Sequence, residues 1–200
     1  MVQSPDVTPH VAFKRPTFFD ERLLSDTFFI WDFTEHKFAV GHVLDAFSDF
    51  HVGEAYENAT DSNFMAEILD EQWCSVFGPP DVLMSDEGSE YADKVNDLND
   101  IFGVFHERVP AAAKWRMGHV ERAGSVVKLM MMKIIKEHQL AGSRQVRMAA
   151  CAAFAAKNRL INKGGVSPMQ VVTGRNANIP SSLMEQLANN HVKFKVDEDI

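Results

Sequence analysis

TFFIWDFTEHKFAVGHVLDAFSDFHVGEAY, residues 27–56, is the stretch on which the fold turns. Its first eight residues, 27–34, are aromatic or β-branched except for Asp32, the composition of a strand buried on both faces. HKFAVGHVLDAF and FHVGEAY repeat the strand-like pattern with only Ser48 and Asp49 between them, which predicts a three-stranded meander. Downstream, Phe64, Ile68, Leu69, Trp73 and Val76 recur at helical spacing until Gly78 and two prolines end the run. A short strand follows over 81–85, then a helix over 93–103, a strand over 104–109 and a loop over 110–118. The remainder reads as a long helix with Val120, Val127, Met131 and Ile134 on one stripe, an Ala-rich helix over 143–162 and a short helical turn between Pro168 and Gly174. Upstream, residues 1–26 contain Pro5, Pro9 and Pro16 and read as an extended lead-in, and residues 176–200 as a tail or linker. This order is α/β: a five-stranded mixed sheet flanked by helices, the later strands parallel to the first.

Composition agrees with one folded domain over 27–175. Across 200 residues, 46% are hydrophobic and 24% charged, which excludes disordered and fibrous classes. No apolar run is long enough to span a membrane, and the N-terminus lacks a cationic start followed by an apolar core, so an intracellular protein is expected. The two cysteines, Cys74 and Cys151, offer no disulfide framework or Cys-rich zinc site and are expected to be small core residues. Charge is segregated. Residues 1–107 hold five Lys/Arg against 22 Asp/Glu, whereas residues 108–147 hold nine against two, so an acidic chain still carries one local phosphate-binding surface.

Three carboxylates stand out. SDEGSEYADKV, residues 85–95, presents acids directly after the apolar DVLM. Asp32 and Asp86 are expected near the C-terminal ends of adjacent parallel strands, where open α/β sheets gather their ligands. Two carboxylates brought together repel unless a cation neutralises them, and hard oxygen donors suit Mg²⁺ or Mn²⁺. Glu121 shares a helical face with Ser125 and Lys128, within the most basic part of the chain. Each acid alone also fits an ordinary structural or solvated role.

Taken together, WDFTEHKFAVGHVLDAFSDFHVGEAYENAT, SVFGPPDVLMSDEGSEY, WRMGHVERAGSVVK and NRLINKGGVSPMQVVTGR resemble, in order and interval, the catalytic core of retroviral and retrotransposon integrases. The resemblance covers residues 27–175. It implies an RNase H-like fold whose Asp, Asp, Glu triad falls on Asp32, Asp86 and Glu121, holding two Mg²⁺ or Mn²⁺ ions. It further implies DNA as substrate, in 3′-end processing and strand transfer, a homodimer, and residence in the nucleus or a retroelement particle. Lys128 matches a position that contacts element-end DNA in relatives, and Lys114, Trp115, Arg116, Arg122, Ser125 and Lys133 are the further expected nucleic-acid contacts. Asn158, Gly165, Ser167, Pro168 and Gly174 match a C-terminal signature read as structural. The Asp86 to Glu121 interval is one residue shorter than is common in the family, and the loop AAAKWRMG lacks the polar residues frequent there. The family's zinc-binding and C-terminal DNA-binding domains have no counterpart in the 200 residues, from which reduced competence for full integration is expected. Two other readings fit the same scaffold: a related DDE nuclease or transposase, and an idle or domesticated binding and dimerisation module.

Overall fold

A computed structural model describes residues 15–57, 63–162 and 164–175. The expected N-terminal lead-in before residue 15 and the tail over 176–200 lie outside these described residues. Three antiparallel strands open the fold, β1 (Arg22–Trp31), β2 (Lys37–Asp45) and β3 (His51–Glu57). A helical stretch follows as α1 (Asn63–Glu67), a wide π-helical turn (Ile68–Cys74) and α2 (Ser75–Phe77). Then come β4 (Val82–Asp86), α3 (Lys94–Phe102), β5 (Phe105–Val109), α4 (Gly118–His138), α5 (Ser143–Arg159) and α6 (Pro168–Thr173). The sheet order is β3-β2-β1-β4-β5, with β4 parallel to both β1 and β5. The expected five-stranded mixed sheet with flanking helices is what the chain forms.

Each face of the sheet has its own core. Leu23, Val43 and Leu83 pack beneath Phe64, Met65, Ile68 and Trp73 of the first helical stretch, together with Tyr91 and Val95. On the opposite face, Leu24, Leu44, Met84 and Val109 meet Val120 and Ala123 of α4. Further along that face, Ile30, Phe38, Val40 and Ala55 meet Val127, Met131 and Ile135 of α4 and the alanines of α5. The small Ala149, Ala150 and Ala153 let α5 lie close on the sheet.

Two buried histidines lock these layers. His51 Nε2 lies 2.8 Å from His42 Nδ1, and both rings are fully buried. Gly124 of α4 rests on the His42 ring: a Cβ there would stand 2.8 Å from His42 Nε2, so only hydrogen fits. Asn158 of α5 holds β3 by its side chain, accepting from His51 N–H at 2.9 Å and donating to His51 C=O at 2.8 Å. Ser167 caps α6 through a reciprocal bond with Gln170, and Gly174 ends it at φ +66°. The signature residues read as structural in the sequence therefore do structural work.

Three expectations need correction. The first strand runs over residues 22–31 rather than 27–34, starting inside the expected lead-in and ending before Asp32. It is not buried on both faces: beyond the short stretch paired with β4, Phe29, Trp31 and Phe33 stand 43%, 51% and 51% exposed, with the Lys37 ammonium 3.8 Å above the Phe29 ring. The cysteines are not core residues either, since Cys74 is half-buried and Cys151 exposed on α5.

Candidate active site

RLLSD at residues 22–26 and VLMSD at residues 82–86 are near copies, and the sheet lays them side by side. Their parallel register pairs Arg22 with Val82, Leu23 with Leu83 and Leu24 with Met84. Two residues past the end of that pairing, Asp26 and Asp86 are close enough for the charge of Asp86 to bear on Asp26. Because side chains alternate between faces, the aspartates share the face of Leu24 and Met84, beneath α4, while Ser25 and Ser85 share the face of Leu23 and Leu83. Each strand thus presents an acid to one layer and a hydroxyl to the other.

The hydroxyls build a polar layer behind the acids. Ser25 Oγ lies 3.0 Å from the Tyr91 hydroxyl and donates to His42 C=O at 3.2 Å. Ser85 Oγ donates to Asp86 C=O at 2.8 Å and lies 2.9 Å from His106 Nε2. Arg108 secures the turn that carries Tyr91 by donating to its carbonyl oxygen at 2.6 Å. Burial pushes the Tyr91 phenol well above its ordinary range, so it remains a neutral hydrogen-bonding group.

In front of that layer, acids gather. Asp26 is raised to about 6, first by burial and then by the charges of Asp86, Glu121 and Glu90, against the lowering effect of the Thr27 N–H. Asp86 Oδ1 accepts from Gly88 N–H at 3.0 Å, and Asp86 Oδ2 faces Lys114 Nζ at 3.9 Å. Gly88 sits close against both acids: a Cβ there would meet Glu90 Oε2 and, at 2.9 Å, Asp86 Oδ1, so a side chain at this position displaces the carboxylate ends. Glu121 stands exposed in the first turn of α4, and that turn is tied to the β2–β3 connection by His119 Nε2 and Asp49 Oδ1, 2.6 Å apart. Burial raises the Asp49 carboxyl, but the hydrogen bond and charge of His119 together with the charge of Lys157 outweigh it and hold the group low. Among the described residues, no three His, Cys, Asp or Glu side chains converge closely enough to hold a metal ion as they stand.

Asp32 is elsewhere, and its expected pairing with Asp86 is corrected. Six strand residues beyond Asp26, it lies roughly 20 Å away along β1. Its Oδ1 accepts from Thr34 N–H (2.8 Å), Thr34 Oγ1 (2.9 Å) and His36 N–H (2.9 Å), and its Oδ2 from Gly142 N–H (2.8 Å). Burial raises its carboxyl, yet these four donors outweigh burial and keep it below the usual range. Asp32 therefore ties the β1–β2 hairpin to the α4–α5 connection. Asp26 falls within the expected lead-in, and the repeated L-[LM]-S-D is the sequence signal that sets it beside Asp86 as a candidate.

The expected nucleic-acid contacts occupy two elements. Lys114, Trp115 and Arg116 lie on a 3₁₀ segment (Ala111–Met117) whose helical geometry breaks at Ala113 (φ −115°, ψ 19°). Trp115 is 57% exposed. Arg116 is committed to Glu107 of β5 by a short contact, and Arg22 approaches the other Glu107 oxygen at 3.9 Å, so Arg116 anchors this segment to the sheet. On α4, Arg122 and Lys133 are exposed and Lys128 half-buried, while Ser125 Oγ donates to Glu121 C=O at 2.8 Å.

Solved structures share this fold. A simian T-cell lymphotropic virus intasome in complex with the PP2A regulatory subunit B56 gamma superposes with a TM-score of 0.72 at 16% identity, over 86% of this chain and 60% of that one. The HTLV-2 integrase catalytic core domain in complex with magnesium superposes in its trimeric form at 0.65 and 18% identity, over 78% of this chain and 99% of that one. Its dimeric form gives 0.63 and 17%, over 77% and 97%. No family profile and no curated protein sequence matches the chain. The fold is that of the integrase catalytic core, the RNase H-like sheet with its helices.

Proposed function

We propose that the chain is the catalytic core of a divalent-metal-dependent polynucleotidyl transferase of the integrase kind, acting through Asp26, Asp86 and Glu121. The observation that carries this reading is the pair of twin strands, which ends in two aspartates on the face beneath the helix bearing the glutamate, with Asp26 feeling the charges of Asp86 and Glu121. The donor set fits a hard cation: its groups are carboxylate oxygens, and burial, with the charges of Asp86, Glu121 and Glu90 added, lifts the Asp26 carboxyl to about 6, a cost that a divalent ion would relieve. The HTLV-2 core was solved with magnesium, which supports Mg²⁺ or Mn²⁺ as the ions. When bound, two such ions supply charge stabilisation to the attacking and leaving oxygens of an in-line displacement at phosphorus. Asp26 and Asp86 contribute fixed ligands from the sheet, and Glu121 an adjustable one from a solvent-facing helical turn.

Arg122, Lys128 and Lys133 of α4 offer cations to the phosphates of the DNA backbone, which positions a duplex without reading its sequence. The proposed reactions are trimming of a 3′ end by water and attack of the new 3′ hydroxyl on target DNA. An intasome and dimeric and trimeric cores among the neighbours support DNA and a second copy of the chain as partners. A nuclear or element-particle setting follows from that reading.

Disintegration of a branched DNA substrate in Mg²⁺ tests the assignment. Wild type and Asp32→Asn should be active, and Asp26→Asn and Glu121→Gln at least a hundredfold slower, on the order of what one positioned group contributes to catalysis. Full activity in Asp26→Asn would remove the proposed triad, whereas hydrolysis without joining would make the chain a nuclease on the same fold.

A further inference from the structure

We propose that Lys114 is the resident counter-ion of the carboxylate cluster, transferred from Asp86 to a substrate phosphate when a divalent cation takes its place. Cation and nucleic acid then bind cooperatively through one side chain. This rests on the reading above and adds to it the order in which the partners bind.

The two oxygens of Asp86 have different occupants. Oδ1 is held by the Gly88 N–H, and Oδ2 faces the Lys114 ammonium at 3.9 Å. Asp26, Glu90 and Glu121 complete a negative neighbourhood: the charges of Asp86, Glu121 and Glu90 all bear on Asp26. The nearest alternative cation on the same segment, Arg116, is held by Glu107, leaving Lys114 as the side chain that answers the cluster. Its side chain is 61% exposed, so the ion pair with Asp86 is weak and readily exchanged.

A divalent ion on Asp86 Oδ2 would stand where Lys114 now points, and like charges about 4 Å apart do not share an oxygen without penalty. Lys114 must leave. The segment permits this: Arg116 fixes its far end, and the break at Ala113 sits one residue before Lys114. A freed ammonium beside the exposed Trp115 is available to a phosphate approaching the same acids. By linkage, whatever the cation gains in nucleic-acid affinity, the nucleic acid returns in cation affinity.

The experiment uses the whole chain with Ca²⁺ as the cation probe and a blunt DNA duplex as the phosphate probe. Calorimetry measures Ca²⁺ affinity; anisotropy measures duplex binding across a salt series with and without Ca²⁺. For wild type, Ca²⁺ should tighten duplex binding and steepen the plot of log K against log salt by about 0.9, the equivalent of one added phosphate contact. Lys114→Met should bind Ca²⁺ about two- to fivefold more tightly, the equivalent of losing an exposed ion pair, and its salt slope should be the same with and without Ca²⁺. Lys114→Arg should restore the coupling. Lys114→Gln repeats the test, with thermal melting confirming that each variant folds. Unchanged or weaker Ca²⁺ binding in Lys114→Met, or an equal steepening of its slope, overturns the inference. A wild type that binds both probes without coupling overturns it alone, whereas a wild type that binds no divalent ion overturns the proposed function as well.

Discussion

Asp26 and Asp32 occupy one chain segment and opposite electrostatic surroundings. Asp26 carries a folded-state pKa of about 6 against an ordinary 3.8, so the native state holds its proton more readily than the unfolded chain does. Stability from this group is present below pH 3.8 and is lost as pH rises through 6. Asp26→Asn is therefore expected to stabilise the protein by about 2–3 kcal/mol at pH 8, with the gain shrinking toward pH 4. Asp32 is the reverse case. Removing a buried carboxylate that accepts four hydrogen bonds strands its donors, and Asp32→Ala should cost about 2–3 kcal/mol with no loss of any metal-dependent activity beyond that from unfolding. Urea melts of both variants across pH separate an acid whose charge is disfavoured from one whose charge is fully hydrogen-bonded. The sequence could not sort them, because hydrophobic flanks make any acid look conspicuous. What distinguishes them is the number of donors each meets, and Gly142, which supplies one, is 110 residues from Asp32.

Among the elements, helices were the easiest to read. The stripe on α4 and the alanines of α5 mark their buried faces without reference to the rest of the molecule. Strand limits were harder, since aromatic residues favour a strand whether it is buried or half in water, and β1 was displaced by five residues at its start. Register was harder still: parallel pairing of β1 with β4 joins residues 60 apart, and only the repeated motif hints at it. The clamp between α5 and β3 belongs to this scale. Asn158 satisfies both backbone groups of His51, so Asn158→Ala leaves a buried donor and acceptor unpaired and should cost about 2–4 kcal/mol. Amide exchange in β3 would accelerate more than in β1 if the loss is local to that edge.

Across the whole molecule, the buried histidine pair makes the fold sensitive to acid. Burial lowers His42 to about 3, and burial with the neighbouring His42, Lys157 and His119 lowers His51 well below 6.5. The unfolded chain takes up protons at these groups below pH 6.5 while the native chain refuses them. Their contribution is complete above pH 6.5 and is lost as pH falls toward 3. His42 is expected to cost about 2 kcal/mol at pH 5, with His51 acting in the same direction, visible as a drop in the urea midpoint between pH 7.5 and pH 5 that His42→Gln makes shallower. None of this could be read from histidines nine residues apart on a predicted hairpin, because their meeting depends on which faces β2 and β3 turn inward.

The seat of α4 on that pair has a further effect. With only hydrogen at Gly124, the helix is keyed against the His42 ring, and turning it by one residue, about 100°, would drive Ala123 or Ser125 into the same spot. The azimuth of Glu121, three residues earlier, is thereby set by a gap in the side-chain layer on the helix underside, and the acid-bearing end of the helix inherits its aim from a vacancy.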